Sequence, residues 1–212
     1  TVSTVTINVS SSPSFFCLGS SSTLTATGAL TYTWSPSALI GSSIVVSPSV
    51  NTTYTVTGTN INGCIDTKTL SVIVNALPTL TISPIFSTIC VGSITTLIIS
   101  GASTYTWSTG SHATNITVGP SVTSTYSVSG TNTLGCINTA TALVTVNPLP
   151  ALTITPTSTN VCAGNSTILS ASGASSYTWN PSGIVSSSIS VSPTVSTTYT
   201  VIGINAFGCI SS

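Results

Sequence analysis

Six cysteines are the residues of this 212-residue sequence best suited to chemistry, and they fall in pairs: Cys17 with Cys64, Cys90 with Cys136, and Cys162 with Cys209, at separations of 47, 46 and 47 residues. Thiols at regular spacing can bind zinc, act as nucleophiles or form disulfides. Zinc is disfavoured, because the sequence offers one His and no Cys-x-x-Cys. Catalysis is disfavoured too, since the lone His112 follows Gly110-Ser111 in a loop and has no counterpart elsewhere in the chain. Disulfides remain, and the even spacing predicts the pairs Cys17–Cys64, Cys90–Cys136 and Cys162–Cys209, each within one stretch of chain that can fold like the others. Each such bridge would close a loop of nearly fifty residues and stabilise by ~3 to 4 kcal/mol on the chain-entropy model. Lasting disulfides imply an oxidising setting, so the expected location is extracellular or at the cell surface.

The remaining titratable inventory is almost empty. Asp66 and Lys68 are the only acidic and the only basic side chain, and there is no Arg, Glu or Met. Two apart on a predicted strand, Asp66 and Lys68 can share a face as an exposed pair worth little. An isopeptide bond from Lys68 to an Asn would need a buried carboxylate that only Asp66 could supply. The expectation is therefore no enzyme, with no catalytic, cofactor-binding or metal residue. A formal net charge of zero leaves no field to attract nucleic acid. No apolar run approaches the ~18 residues of a spanning helix, and Thr1 opens no signal-peptide pattern, so no membrane span is expected in this chain and the sequence reads as processed or excerpted.

The elements that must position the cysteines repeat with them. Tyr32, Tyr105 and Tyr177, and likewise Trp34, Trp107 and Trp179, recur at intervals of 73 and 72. One unit of about 72 residues is thus present three times. Its Ser and Thr content, 83 of 212 residues, is mixed with Val, Ile, Leu, Tyr and Trp, a strand-forming composition rather than a disordered one. In the second copy the pattern predicts strands at Thr79 to Ser83, Ile94 to Ser100, Thr104 to Ser108, Asn115 to Val118, Thr123 to Gly130 and Thr139 to Val146. Alternation puts Tyr105 and Trp107 on one face. Short strands with frequent turn signals predict an all-β chain of three tandem immunoglobulin-like β-sandwich modules, 1–75, 76–147 and 148–212, with the Trp in each core and the third module short of its last strand. The linkers at Asn75-Ala76-Leu77-Pro78 and Asn147-Pro148-Leu149-Pro150 are too short to be flexible tethers.

The succession Cys-x-Gly-x-x-x-Thr-Leu, Tyr-Thr-Trp, Thr-Tyr-x-Val-x-Gly-x-Asn, Gly-Cys and Val-x-Val-Asn-x-Leu-Pro resembles the tandem immunoglobulin-like or PKD-like repeats of giant secreted surface proteins of Bacteroidota. Cys17, Trp34, Tyr54, Gly63 and Cys64 match, as do their counterparts. The resemblance implies an exported adhesin, gliding-associated protein or stalk, and implies little about activity. The scarcity of acidic residues departs from that family's usual composition and speaks against calcium-stiffened linkers.

The phase of the repeat raises a further expectation. Placed after Ser212, Val5-Thr6-Ile7-Asn8 falls at the offsets from Cys209 that Val144-Thr145-Val146-Asn147 has from Cys136, although the spacing on to the next Cys17 would be 20 residues where the internal value is 26. Two readings make the protein a head-to-tail polymer with itself as partner. Either the chain is one period of a covalent array, or Val5, Ile7 and Val9 form an inter-subunit strand that completes a neighbour's third module. The plain alternative makes Thr1 to Val9 the first strand of module one. The function expected is an extracellular structural filament or adhesin stalk. The alternative is an adhesin module that binds surface glycans, proteins or other cells, with Tyr and Trp as a stacking platform if they are not core. Thr-x-Thr runs such as Thr55-Val56-Thr57 and sequons such as Asn115-Ile116-Thr117 are weaker signals of ice binding and glycosylation.

Overall fold

The computed structural model describes residues 4–212. Every regular element among them is a β-strand. The strands are short, and left-handed glycines such as Gly28, Gly101 and Gly173 punctuate them. The described residues divide into two compact units, one of 4–81, 99–114 and 127–140, the other of 82–98, 115–126 and 141–212. The second sequence repeat therefore contributes to both.

In the first unit, the first repeat is a sandwich of two sheets. One carries Asn8–Ser12, Ser22–Thr27 and Ser43–Val46 in that order; the other carries Phe15–Cys17, Ile65–Asn75, Thr52–Thr59, Thr31–Ser35 and Leu39–Ile40. Strand alternation sends one face of each sheet inward: Leu24, Trp34, Val56 and Val72 are fully buried, while the intervening Thr residues stay exposed or half-buried. The same unit holds Thr104–Trp107 of the second repeat, paired antiparallel with 128–131.

The second unit contains 95–98 paired with Asn115–Val118, and Phe86–Cys90 running parallel to 143–147. It also contains the third repeat, with sheets of Thr153–Pro156, Thr167–Ser172 and Ser188–Val191, and of Ser176–Asn180, Thr200–Ile204 and Ile210–Ser211. Ile210–Ser211 pairs there with 203–204. The all-β immunoglobulin-like expectation thus holds.

The repeated Tyr and Trp are core residues with a fixed hydrogen-bond pattern. Trp34, Trp107 and Trp179 are at most 2 % exposed, and each indole N–H donates to a backbone carbonyl, of Gly41, Ala113 and Ser186, at 2.9 to 3.0 Å. Each Tyr hydroxyl turns back on a residue three earlier: Tyr32 both donates to the carbonyl and accepts from the N–H of Ala29, as Tyr105 does with Ala102 and Tyr177 with Ala174. Buried in this way, the Trp side chains offer no sugar-stacking surface.

One expected element changes its role. Ile7 is 1 % exposed in the core of the first repeat, with Val5 and Val9 packed against that core, and Asn8–Ser12 pairs with Thr23–Thr27. The strand offered as one inter-subunit reading therefore serves its own repeat, as the plain alternative has it; Thr1 to Ser3 lie outside the described residues. The equivalents of Ile7 in the other repeats give the reason. Ile7, Leu80 and Leu152 each lean on a glycine of their own repeat, Gly58, Gly130 and Gly203. Each precedes the first cysteine of its repeat by ten residues. Ile7 thus matches Leu152, not Val146, and the six-residue shortfall disappears.

Candidate functional site

The site of interest is the crossing point where two cysteines from consecutive repeats meet, and it is built from three local pieces. The first is a turn. In Asn132-Thr133-Leu134-Gly135-Cys136 the Asn132 side-chain oxygen accepts from the N–H of Leu134 (3.0 Å) and of Cys136 (2.9 Å), while the Asn132 N–H donates to the Cys136 carbonyl at 3.0 Å. Gly135, at φ 79°, supplies the left-handed step this turn needs. Asn205 arranges Phe207 and Cys209 in the same way, and the Asn60 oxygen accepts from Asn62 and Cys64 at 2.9 Å. The Asn four residues before each second cysteine closes the Thr-Tyr-x-Val-x-Gly-x-Asn motif read in the sequence, where it carries no assigned role, and the structure makes it the organiser of the turn. Its signal was present as an Asn at a fixed offset in all three repeats.

The second piece is an edge strand that was not expected from sequence. Phe15–Cys17 runs parallel to Ile73–Asn75, and Phe86–Cys90 runs parallel to 143–147. Neither alternates in hydrophobicity, which is why the strand signal is weak. The N–H groups of Leu18 and Val91, one residue past each cysteine, donate to the carbonyls of Asn75 and Asn147 at 2.9 and 3.0 Å. Cys17 and Cys90 are thus each held at the far end of their repeat's long strand.

The third piece is the linker, fastened to the turn. The Asn132 amide donates to the Ala76 carbonyl at 3.0 Å and the Asn138 amide to the Pro78 carbonyl at 3.0 Å; Asn205 donates to Pro148 at 2.8 Å. In each Pro-bearing linker at least one carbonyl is thus occupied by the repeat that follows it.

These pieces bring together Cys17 with Cys136 and Cys90 with Cys209, each pair bonded, with Cα atoms 5.5 and 5.6 Å apart and 119 residues between partners. The expected pairs within repeats are therefore corrected: Cys17 is not bonded to Cys64, nor Cys90 to Cys136, nor Cys162 to Cys209, and Cys64 and Cys162 belong to neither bridge. The reason is geometric. Cys17 lies beside Asn75 while Cys64 precedes Ile65, so the two sit at opposite ends of an eleven-residue strand. At ~3.3 Å per residue that strand spans ~33 Å, far beyond the ~7 Å limit for bridged Cα atoms. Cys136 and Cys209 are fully buried at their bridges, whereas Cys162 is exposed.

The other candidates are not drawn together. Asp66 spends its carboxylate on the backbone, accepting from the N–H of Ile7 at 2.9 Å and of Thr67 at 2.8 Å. The Ile7 bond foremost, then that from Thr67, holds its carboxyl below the usual range. Lys68 is exposed two residues on. His112 lies in its expected loop, its Nδ1 3.0 Å from the Tyr105 carbonyl oxygen and 3.2 Å from the Thr106 hydroxyl. Among the described residues there is no cluster of three or more His, Cys, Asp or Glu able to hold a metal, and no helix long and apolar enough to cross a membrane.

Fold and bridges together define a protein of immunoglobulin-like β-sandwiches in which disulfides join one sequence repeat to the next. No protein family and no curated protein matches the sequence. Among solved structures, the chain is similar to one concerning host cell surface retention of a 1.5-MDa bacterial ice-binding adhesin, at 16% identity over 99% of this chain and 95% of the other, with a TM-score of 0.34. A Ca2+-stabilised, ice-binding adhesin of an Antarctic bacterium gives 16% identity, coverage of 100% and 72%, and a TM-score of 0.34. The eight N-terminal Ig domains of Down syndrome cell adhesion molecule give 12% identity and a TM-score of 0.30, with all of this chain spanning 41% of that one.

Proposed function

We propose that this chain is a non-enzymatic, extracellular structural segment, the stalk of a surface filament or adhesin, assembled from immunoglobulin-like modules with boundaries near 75/76 and 147/148. The observation that carries this reading is the Cys17–Cys136 bridge with its copy Cys90–Cys209, both at a separation of 119. A disulfide inside a module protects that module; one between consecutive modules fixes the joint. Covalent bonds and the Asn-tied linker would transmit load from repeat to repeat, and persistent bridges require an oxidising surrounding. A surface covered by hydroxyl groups, with one acidic and one basic side chain, lets copies approach without Coulomb repulsion. The place of Ile7 in the first repeat's core speaks against donation of its strand to a neighbouring copy.

The test is immunolabelling of intact, unpermeabilised cells of the source organism, followed by electron microscopy of the labelled material. Labelled surface fibres support the reading. Label appearing only after permeabilisation refutes it.

A further inference from the structure

Residues 39–46 of the first repeat form two successive edges of its sandwich. Leu39–Ile40 ends the five-stranded sheet, paired with Thr33 and Trp34, and Ser43–Val46 ends the three-stranded one, paired among the described residues with 22–25. The hydrogen-bond phase of the second edge is fixed. The Ala26 N–H donates to the Ser42 carbonyl at 2.8 Å, and antiparallel ladders alternate bonded with non-bonded pairs. Leu24–Ile44 and Ser22–Val46 are therefore bonded pairs, whereas Thr25–Ser43 and Thr23–Val45 are not. The N–H and C=O groups of Ser43 and Val45 point away from the sheet along its plane. Their side chains lie on its outer face: Ile44 and Val46 are buried, while Ser43 is exposed and Val45 is 63 % exposed.

The usual guards of such an edge are missing. Natural edge strands carry Lys, Pro or a bulge, or lie under a covering segment. Residues 39–46 read Leu-Ile-Gly-Ser-Ser-Ile-Val-Val, with neither charge nor Pro, and Leu39 and Ile40 are exposed as well. Asp66 and Lys68, the only acidic and basic side chains, lie on Ile65–Asn75, and Thr52–Thr59 and Thr31–Ser35 stand between that strand and Leu39–Ile40. By register, Ser43 and Val45 correspond to Asn115 and Thr117 in the second repeat and to Ser188 and Ser190 in the third. The apolar side chain on this edge belongs to the first repeat.

We propose that Ser43–Val46 pairs with the same strand of a second copy of this chain, antiparallel about a two-fold axis at Ile44. The edge is complementary to itself in that register. Ser43 of each copy faces Val45 of the other, each such pair exchanges both of its N–H···O=C bonds, and the two three-stranded sheets become one continuous sheet. The two Val45 side chains meet diagonally across the joint on its outer face. Copies of zero formal net charge meet no repulsion on approach. The joint is side by side, so it stands or falls apart from the stalk reading.

The test is sedimentation equilibrium of the disulfide-bonded chain over a range of concentrations. The mass is expected to rise towards twice the 21.2 kDa of one chain. Val45→Lys and Val45→Glu should each stay at the monomer mass with an unchanged circular dichroism spectrum, and a mixture of the two should recover the dimer, because opposite charges then meet across the joint. Thr117→Lys, at the matching position of the second repeat, should leave the dimer intact. Hydrogen exchange of the unsubstituted chain reads the same edge without a mutation: the Ser43 and Val45 amides should exchange more slowly at high than at low concentration, and this result decides if the Val45 variants fail to fold. A wild-type chain that is monomeric throughout, as it would be if the edge served a foreign strand, overturns the proposal. So does a dimer that survives Val45→Lys or is lost equally in Thr117→Lys, a mixture that stays monomeric, or concentration-dependent protection confined to segments outside 39–46. Each of these leaves the stalk reading standing.

Discussion

Cys17 is bonded to Cys136, 119 residues away, and not to Cys64, which is nearer in sequence but lies at the other end of Ile65–Asn75. The bond fixes the end of the first repeat to the turn between Ser124–Thr131 and Ile137–Asn147 of the second, so its loss should cost far more than a local contact. A bridge closing a loop this long stabilises by about 5 kcal/mol on the chain-entropy model. Cys136→Ser should therefore lower the urea midpoint markedly, whereas Cys64→Ser, outside both bridges, should lower it by much less. Equal losses in the two variants would count against the observed pairing.

Asn132 ties three groups with one side chain: Leu134 N, Cys136 N and the Ala76 carbonyl. At about 1 kcal/mol net per hydrogen bond, Asn132→Ala should cost ~2 to 3 kcal/mol. It should also make the Cys17–Cys136 bridge reducible at lower dithiothreitol concentration than Cys90–Cys209, which peptide mapping at graded reductant would show.

Asp66 gives the stability a defined dependence on pH. Its carboxyl is held below the usual range, first by the Ile7 N–H and then by that of Thr67. A depressed folded-state pKa contributes stability that is fully present above the unfolded carboxylate value and is lost as pH falls through the lower folded value. Thermal melts should thus be flat from pH 7 to about 5 and decline below pH 4. Asp66→Asn should remove most of that acid dependence; an unchanged profile in the variant would place its origin elsewhere.

Gly101 has φ 102°, and a Cβ there would overlap the Thr79 carbonyl, while Gly92 has φ 85° with open space around it. Gly92→Ala should cost only the left-handed penalty of ~1 to 2 kcal/mol. Gly101→Ala should add a backbone displacement of ~1 to 3 kcal/mol to that. Chemical denaturation of the pair separates conformational strain from steric overlap.

Much of the fold was legible in the sequence. Tyr105 and Trp107 alternate with Thr104 and Thr106, and the structure buries the first pair and exposes the second. Strand Asn115–Val118 was placed to the residue. By contrast, Phe86–Cys90 was not foreseen, because an edge strand beside a turn buries neither face cleanly. That omission mattered, since it carries Cys90 to the end of its repeat.

The sequence by itself determined the period, the strand-forming composition, the core Tyr and Trp, and the pairing of every repeat with two cysteines, because each of these is written in residue type and spacing. Only the tertiary structure decided which thiols meet and where Ile7 is buried. Spacing counts residues along the chain, but a disulfide needs Cα atoms within ~7 Å, and an extended strand carries its two ends apart at ~3.3 Å per residue. A cysteine at the far end of such a strand is near the next repeat and remote from its own partner in sequence.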